Sequence, residues 1–161
     1  MLNGVVELIM FDERFILYHE INKKLPELLA DLLSSDKYPL KTLTKGEIQK
    51  ILGKKKAVSG VYLMSEVDDD TAVYVGRSKN LAQRIGVDHR AIQKSQSTLG
   101  LRLWKQGIEG ISCMKTSREY MYQRFNVRFL PIEDVYLRTV FEFFASIILD
   151  TTSKYNSFME H

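Results

Sequence analysis

Two tyrosines, an arginine and a glutamate are the residues of this chain whose types and order could do chemistry. Tyr62 and Tyr74 each lie in a short glycine-flanked run, Arg84 follows them closely, and Glu142 comes much later. Phosphodiester hydrolysis needs a divalent cation held by oxygen ligands and a positive charge beside the scissile phosphate. Arginine has forked donors that match phosphate oxygens, and one carboxylate can suffice for Mg²⁺, which keeps most of its waters. Together these residues indicate phosphodiester hydrolysis.

A β-hairpin is predicted to bring the two tyrosines together. Residues 60–62 and 74–76 read Gly-Val-Tyr and Tyr-Val-Gly, and the acidic stretch at residues 66–71 between them is typical of a turn. After residue 76 the pattern becomes helical, with Ser78 as a candidate cap and Arg84 on the helix. The hairpin thus places two phenols beside a helix that carries an arginine.

These residues resemble the GIY-YIG nucleases, whose namesake triplets correspond to the two runs of the hairpin. The following residues 76–81, Gly-Arg-Ser-Lys-Asn-Leu, with Arg84 three residues further on, are similar to the entry of the family's helix. Family members place a metal-binding glutamate on a later helix and often an asparagine beyond it, and Glu142 and Asn156 stand in those places. The resemblance covers the chain from about Ser59 onward, and its last part resembles small stand-alone bacterial or phage members.

The resemblance implies a role for each residue. Tyr62 would activate the attacking water, Tyr74 would orient water or phosphate, and Arg84 would bind the scissile phosphate. Glu142 would be the ligand of Mg²⁺ or Mn²⁺. Because a phenol normally titrates at about 10, a nearby metal and cationic side chains would have to lower the pKa of Tyr62 for it to act as a base.

His89 is a second candidate for the general base. Family members commonly carry a histidine one helical turn past the arginine, but Asp88 holds that place here and His89 lies one residue further. Gly86 could loosen the end of the helix and restore the geometry. An imidazole titrates near neutral pH and is a competent proton acceptor, so the choice between Tyr62 and His89 stays open.

Further residues are predicted to contact the substrate or to order the site. The candidates for substrate contact are three lysines in a basic run before the hairpin, the glycine of the second triplet, and one lysine just after it. The residues are Lys54, Lys55, Lys56, Gly76, Lys79 and Asn156. Asn156 would order the site by hydrogen bonding.

Each residue also has an ordinary structural interpretation. Tyr62 and Tyr74 could be half-buried aromatics of a sheet, and the lysines could form a solvated surface. On a helix, Arg138, Glu142 and Ser146 would line up as a polar stripe beside a broad apolar surface that includes Ile147 and Ile148. Glu142 could then be the partner of Arg138 in a surface ion pair.

The elements predict an α+β fold with a small three-stranded sheet, mixed or antiparallel, flanked by helices. Residues 1–53 are predicted to form a helical N-terminal extension in which Pro26 kinks or divides a helix. This extension could pack on the core, dimerise or help to hold DNA, and packing is the favoured role. Residues 54–161 are predicted to form the nuclease-like domain. Thr44 with Glu47 predicts a cap for a short helix that ends at Gly53. After the hairpin, helices are predicted at 97–105, 117–125 and 134–149, the last with Asp134 as its cap, and strands at 110–115 and 127–131.

Composition sets looser limits. A chain of 161 residues with 45% hydrophobic content can bury one substantial core. Its net charge of +3 permits a polyanionic partner without requiring one. Cys113, the single cysteine, excludes an internal disulfide and a multi-cysteine zinc site, which fits a reducing cytoplasm. Residues 1–10 lack the pattern of a secretory signal, and no stretch has the length of a transmembrane helix.

The sequence therefore predicts a divalent-metal-dependent DNA endonuclease that acts in the cytoplasm without a membrane partner. An alternative is a nucleic-acid-binding module that keeps the scaffold without cleaving, although binding alone would not require a carboxylate that faces a polyanion. A third interpretation, a structural protein, would depend on the N-terminal helices alone. Cutting both strands at one site would require a second protomer, so a homodimer is possible.

Overall fold

Four strands form one antiparallel sheet with helices on both faces in this computed structural model, which describes residues 13–156. The strands are β1 (Tyr38–Pro39), β2 (Gly60–Glu66), β3 (Ala72–Ser78) and β4 (Phe125–Pro131). The helices are α1 (Glu13–Ser34), α2 (Lys45–Ile51), α3 (Leu81–Gly86), α4 (Thr98–Lys105), α5 (Met114–Arg124) and α6 (Val135–Ile148). Two 3-10 turns occupy Leu40–Thr42 and Asp88–Arg90. The predicted lack of a secretory signal concerns residues 1–10, which lie outside the described residues.

The strand order is β1-β4-β2-β3, so β2 lies inside the sheet and β3 forms one edge. Tyr62 on β2 pairs with Gly76 on β3 and with Phe129 on β4. The α+β class is confirmed, but the prediction of three strands is wrong, because β1 pairs with β4 as a fourth strand. Two residues are too few to show an alternating pattern, so no sequence signal marks β1. Among the described residues, no helix is long and apolar enough to cross a membrane.

Side chains alternate along β2 and divide the interior into two cores. Tyr62 and Met64 point into a core shared with α2, α3, α4 and α5, which we call the tyrosine face. Val61 and Leu63 point into a core shared with α1 and α6, which we call the α6 face. Because successive side chains of β2 point to opposite faces, the tyrosine lies on one side of the sheet and its apolar neighbours lie on the other.

The helix α1 packs on the α6 face, which agrees with the packing role predicted for the N-terminal residues. Its Ile21, Leu25 and Leu32 are buried in that core. The predicted division at Pro26 is wrong, because a single helix runs from Glu13 to Ser34. Buried leucines lie on both sides of the proline, so packing against the sheet and α6 stabilises the helix through it.

Two further local predictions are corrected. The strand predicted at residues 110–115 is absent: Gly110 has a φ of 84°, and α5 begins at Met114. The hydroxyl of Thr116 accepts hydrogen bonds from the backbone N–H groups of Ser112 and Cys113, so this segment enters a helix instead of a sheet. The cap of α3 is Asn80 and not Ser78, whereas the predicted caps of α2 and α6 are confirmed.

The outer edge of β3 is closed by a side chain from the end of the described chain. Asn156 accepts a hydrogen bond from the Val75 N–H at 2.8 Å and donates one to the Val75 carbonyl at 2.6 Å. Lys154 donates to the Ala72 carbonyl on the same edge. An edge strand otherwise presents such groups to other chains, so residues 154 and 156 protect it.

The substitution Asn156→Asp tests this edge contact because it replaces the donating NH₂ with an oxygen and preserves the shape. The Val75 carbonyl would lose its donor and face a carboxylate. We expect the free energy of unfolding to fall by about 1–3 kcal/mol in chemical denaturation. Asn80→Asp is a matched control, since Asn80 caps α3 by accepting a hydrogen bond and an aspartate can do the same. Equal losses in both variants would contradict the edge role.

Candidate active site

Three rings meet at the centre of the tyrosine face. The centroid of the Tyr62 ring lies 6.1 Å from that of Tyr74 and 5.4 Å from that of His89, and Tyr74 and His89 are 5.9 Å apart. The Tyr62 hydroxyl lies 2.6 Å from His89 Nε2. Tyr62 and His89 are fully buried, whereas Tyr74 keeps 9% of its surface exposed. The hairpin therefore joins both tyrosines, as predicted, and His89 joins them.

The chain brings His89 inward by ending α3 early. A side chain at Gly86 would lie 2.3 Å from the backbone nitrogen of Lys45, so glycine allows α3 to pack closely on the start of α2. After Gly86 the chain leaves the helix and makes the 3-10 turn Asp88–Arg90. Asp88 faces Arg84, with 3.9 Å between their charged groups, while His89 turns toward Tyr62. The change from the α-helix to the 3-10 turn thus places His89, and not Asp88, beside Tyr62.

Arg84 is fixed beside the rings by three acceptors. Its Nε donates to the Tyr62 hydroxyl at 3.4 Å, and its two terminal nitrogens donate to the Gln96 carbonyl at 2.8 Å and the Thr98 hydroxyl at 3.0 Å. About a fifth of the side chain, 21%, is exposed. A guanidinium has five N–H donors, so donors remain for an approaching anion on the exposed side.

Tyr62 makes two hydrogen bonds, one to Arg84 and one to His89. Because a guanidinium can only donate, the Tyr62 oxygen accepts from Arg84. The phenol is the donor to His89 Nε2 in the tautomer that carries the imidazole proton on Nδ1. Nδ1 is buried and has no hydrogen-bond partner among the described residues. The three side chains therefore form an ordered chain from Arg84 through Tyr62 to His89.

Burial moves the pKa values of the two candidate bases in opposite directions. Burial raises the pKa of Tyr62 well above its ordinary value, the neighbouring Tyr74 adds to the rise, and the opposing effect of Arg84 is smaller. Burial, followed by the charge of Arg84, lowers the pKa of His89 well below its ordinary value. Arg84 therefore lowers the pKa of Tyr62 by less than burial raises it. At neutral pH both side chains are neutral.

Glu142 lies on α6 and pairs with an arginine of β3. Its Oε2 accepts a hydrogen bond from Arg77 Nε at 2.7 Å, and its side chain is 15% exposed against 42% for Arg77. Burial raises the pKa of Glu142, and Arg77 opposes that rise. The charge of Glu142 makes the smallest contribution to the raised pKa of Tyr62, after burial, Tyr74 and Arg84.

The predicted pairing of Glu142 with Arg138 is wrong. The Arg138 guanidinium is buried and donates to the carbonyls of Ile132 and Glu133, where it closes the turn before α6. The predicted apolar surface of α6 is also reversed in part, because Ile147 and Ile148 are about half exposed while Arg138 and Ser146 are buried. This helix is apolar on most of its surface, so its periodicity does not define the buried side.

The residues predicted to contact substrate occupy different environments. Lys79 and the run Lys54, Lys55 and Lys56 are exposed, as a phosphate contact requires. Gly76 is buried beneath Tyr62, and a side chain there would lie 2.3 Å from both the phenol oxygen and its ring carbon. Gly76 therefore makes room for the phenol. Asn156 bonds the N–H and the carbonyl of Val75, so it orders the edge of β3 and not the rings of the site.

Sequence reasoning missed three contributors to this site. Arg77 follows the second triplet directly and could have been proposed as a partner of Glu142, since the alternation of β3 places it on the α6 face. Gln96 contributes a backbone carbonyl, for which a sequence has no signal, and Thr98 contributes its hydroxyl.

Comparison with family models, curated proteins and solved structures finds no match to this chain.

The close approach of Gly76 and Tyr62 predicts a strong effect of one methyl group. In Gly76→Ala the added carbon would meet a phenol that is buried and hydrogen bonded, so Tyr62 would have to leave His89. We expect a loss of about 1–3 kcal/mol in the free energy of unfolding, measured by denaturant titration. Gly46→Ala on α2 is the control, because no atom lies within 4 Å of its added carbon. Similar stability of the two variants would refute the contact.

The depressed pKa of His89 predicts a pH-dependent stability. Below the unfolded-state pKa of about 6.5 the unfolded chain takes up a proton that the folded chain does not, so the folded protein loses stability as the pH falls. One such group accounts for up to about 1.4 kcal/mol per pH unit. We expect the fall in unfolding free energy between pH 7 and pH 5.5 to be smaller in His89→Gln than in the natural protein. Parallel pH profiles would show that His89 is not held neutral.

Proposed function

We propose that this protein is a divalent-metal-dependent DNA endonuclease with a GIY-YIG type of active site. The observation that supports it best is the hydrogen-bonded chain from Arg84 through Tyr62 to His89, next to Tyr74. A core built for packing alone has no need for a buried imidazole, phenol and guanidinium in one hydrogen-bonded series. Their proximity supports proton transfer at a phosphate.

Arg84 would bind the scissile phosphate. Three of its donors hold it in place, and those that remain can contact phosphate oxygens from the exposed side. Because the guanidinium is already held by Tyr62, Gln96 and Thr98, its position need not change as negative charge develops on the phosphate. Preorganised charge of this kind is the main electrostatic contribution to many enzymatic rates.

Tyr62 and His89 would act together as the base. With the imidazole proton on Nδ1, the attacking water would give its proton to the Tyr62 oxygen while the phenol proton moves to His89 Nε2, which leaves a hydroxide, a neutral phenol and an imidazolium. This series avoids a free phenolate, which the raised pKa of Tyr62 disfavours, but it forms an imidazolium, which the lowered pKa of His89 disfavours. The negative charge of the bound phosphate would have to offset that cost, and the buried Tyr62 hydroxyl would have to become accessible to the water. It also gives both candidates for the base a role, since His89 is buried behind Tyr62 and would receive the proton through it.

Glu142 would hold Mg²⁺ or Mn²⁺, which when bound supplies charge stabilisation to the leaving oxygen. Among the described residues there is no group of three or more acidic, histidine or cysteine side chains that could hold an ion, so the site would depend on this carboxylate, water and phosphate oxygens. Arg77 occupies one of its oxygens. The exposed Arg77 would have to release that oxygen, and its guanidinium could then contact the DNA backbone.

Cleavage of supercoiled plasmid DNA tests this function. We expect nicked or linear product with Mg²⁺ or Mn²⁺ and none with a chelator; linear product from single encounters would indicate a homodimer. Glu142→Gln should reduce the rate at least roughly 10²-fold, since several kcal/mol of charge stabilisation depend on the metal. Its DNA binding should stay equal or improve, because a negative charge is lost.

Two further variants sharpen the result. Glu109→Gln is the control for Glu142→Gln, because Glu109 is an exposed glutamate outside the site. Arg77→Ala should lower the Mg²⁺ concentration needed for half-maximal cleavage, since the carboxylate then has no competing cation. Full cleavage by Glu142→Gln would rule out the metal assignment. DNA binding without cleavage under every metal condition would favour the alternative, a binding module on the same scaffold.

A further inference from the structure

We propose that the cavity beside Trp104 binds one unpaired base of a DNA strand together with its phosphate, an inference that rests on the proposed function. The cavity has a volume of about 400 Å³ and is lined by Lys94, Leu101, Trp104 and Lys105. It lies at the end of α4, outside the group of rings around Tyr62.

The lining of this cavity combines the two features that a nucleotide needs. Trp104 is half buried against the core of the tyrosine face, so its indole is held in a fixed orientation. Lys94 and Lys105 are exposed and carry the positive charge. Bases stack on aromatic faces and phosphates pair with ammonium groups, which is how proteins hold single strands. Acidic side chains are missing from the lining, so the charge favours an anion.

Lys94 already contacts the face of the Trp104 indole ring. Its ammonium lies 4.7 Å from the centroid of the Trp104 ring, a cation–π contact. An exposed contact of this kind contributes only about 0.5–1 kcal/mol. Stacking of a base contributes about 1–3 kcal/mol, so a base can replace the ammonium, which then remains close enough to pair with the phosphate of the same nucleotide.

The backbone of α4 connects this cavity to the proposed scissile site. Arg84 donates to Gln96 and Thr98, which stand at the start of α4, and Trp104 lies six residues after Thr98 on the same helix. A rise of 1.5 Å per residue places Thr98 and Trp104 about 9 Å apart along the axis of α4. This distance corresponds to between two and three base steps of DNA. Leu99 and Leu103 are fully buried, so this spacing is fixed.

The chemistry favours an unpaired base over a duplex. In a duplex both faces of each base are covered by stacked neighbours, and only the edges are open to a protein. A flat indole wall offers little to base edges but much to an exposed face. The cavity therefore predicts a preference for DNA with an unpaired base near the cleaved bond.

Trp104 is the single tryptophan of the chain, so its fluorescence reports on this cavity alone. We would titrate the full protein with a short thymidine oligonucleotide in the presence of a chelator, which prevents cleavage. We expect saturable quenching, and much weaker quenching by a duplex of equal length whose two ends are closed by linkers that contain no bases. Absence of quenching by the oligonucleotide, or equal quenching by inorganic polyphosphate, would overturn the proposal.

Binding of a labelled oligonucleotide, followed by anisotropy, gives a second measurement that does not need the indole. Trp104→Ala should weaken binding roughly 5- to 150-fold, and Trp104→Phe should weaken it less. Lys94→Gln and Lys105→Gln should each reduce the slope of log affinity against log salt by about 0.7. Lys115→Gln, at an exposed lysine of α5, is the matched control and should change neither quantity. Equal effects in the control and the two lysine variants would also overturn the proposal.

The two proposals can fail separately. Plasmid cleavage that depends on Glu142, without quenching of Trp104, would support the nuclease and refute the cavity. Saturable quenching without cleavage in any divalent metal would support the cavity and refute the nuclease. Because the lysine variants change only surface side chains, they keep the test decisive even where Trp104→Ala fails to fold.

Discussion

A buried hydrogen bond between the Tyr62 hydroxyl and His89 holds the candidate site together. It joins the central strand of the sheet to the turn after α3, and Arg84 extends it to the segment before α4. These groups are removed from water, so each needs a partner from another element, and the loss of one would leave the next unsatisfied. Several local features serve this bond: the glycine beneath Tyr62, the early end of α3, and the fixed position of α4.

The site extends over both faces of the sheet, and this requires β3 to be an edge strand. Gly76 faces the rings, while the next residue, Arg77, points to the opposite side and meets Glu142 on α6. A strand in the interior of the sheet would have separated these two sides with a neighbour. An exposed sheet edge can pair with other chains, and Asn156 covers this edge by bonding both polar backbone groups of Val75.

The sequence predicts the local elements well and the long-range contacts poorly. The hairpin, the cap at Asp134 and the meeting of Tyr62 with Tyr74 follow from short patterns whose geometry is fixed over a few residues. The position of His89 depends on how closely α3 approaches α2, and the pairing of Glu142 depends on which side of an apolar helix faces the sheet. Packing between distant segments decides both, and a pattern of nearby residues carries little information about it.

The contact between Asn156 and Val75 has a consequence for the order in which the protein is made. The hairpin and Arg84 leave the ribosome long before Glu142 and Asn156, because synthesis proceeds from the N-terminus. During that interval the outer edge of β3 has no cover and the rings have no carboxylate beside them. A nascent chain therefore passes through a stage in which this edge is exposed to pairing with other chains, and its set of candidate catalytic groups is incomplete until Glu142 has been synthesised.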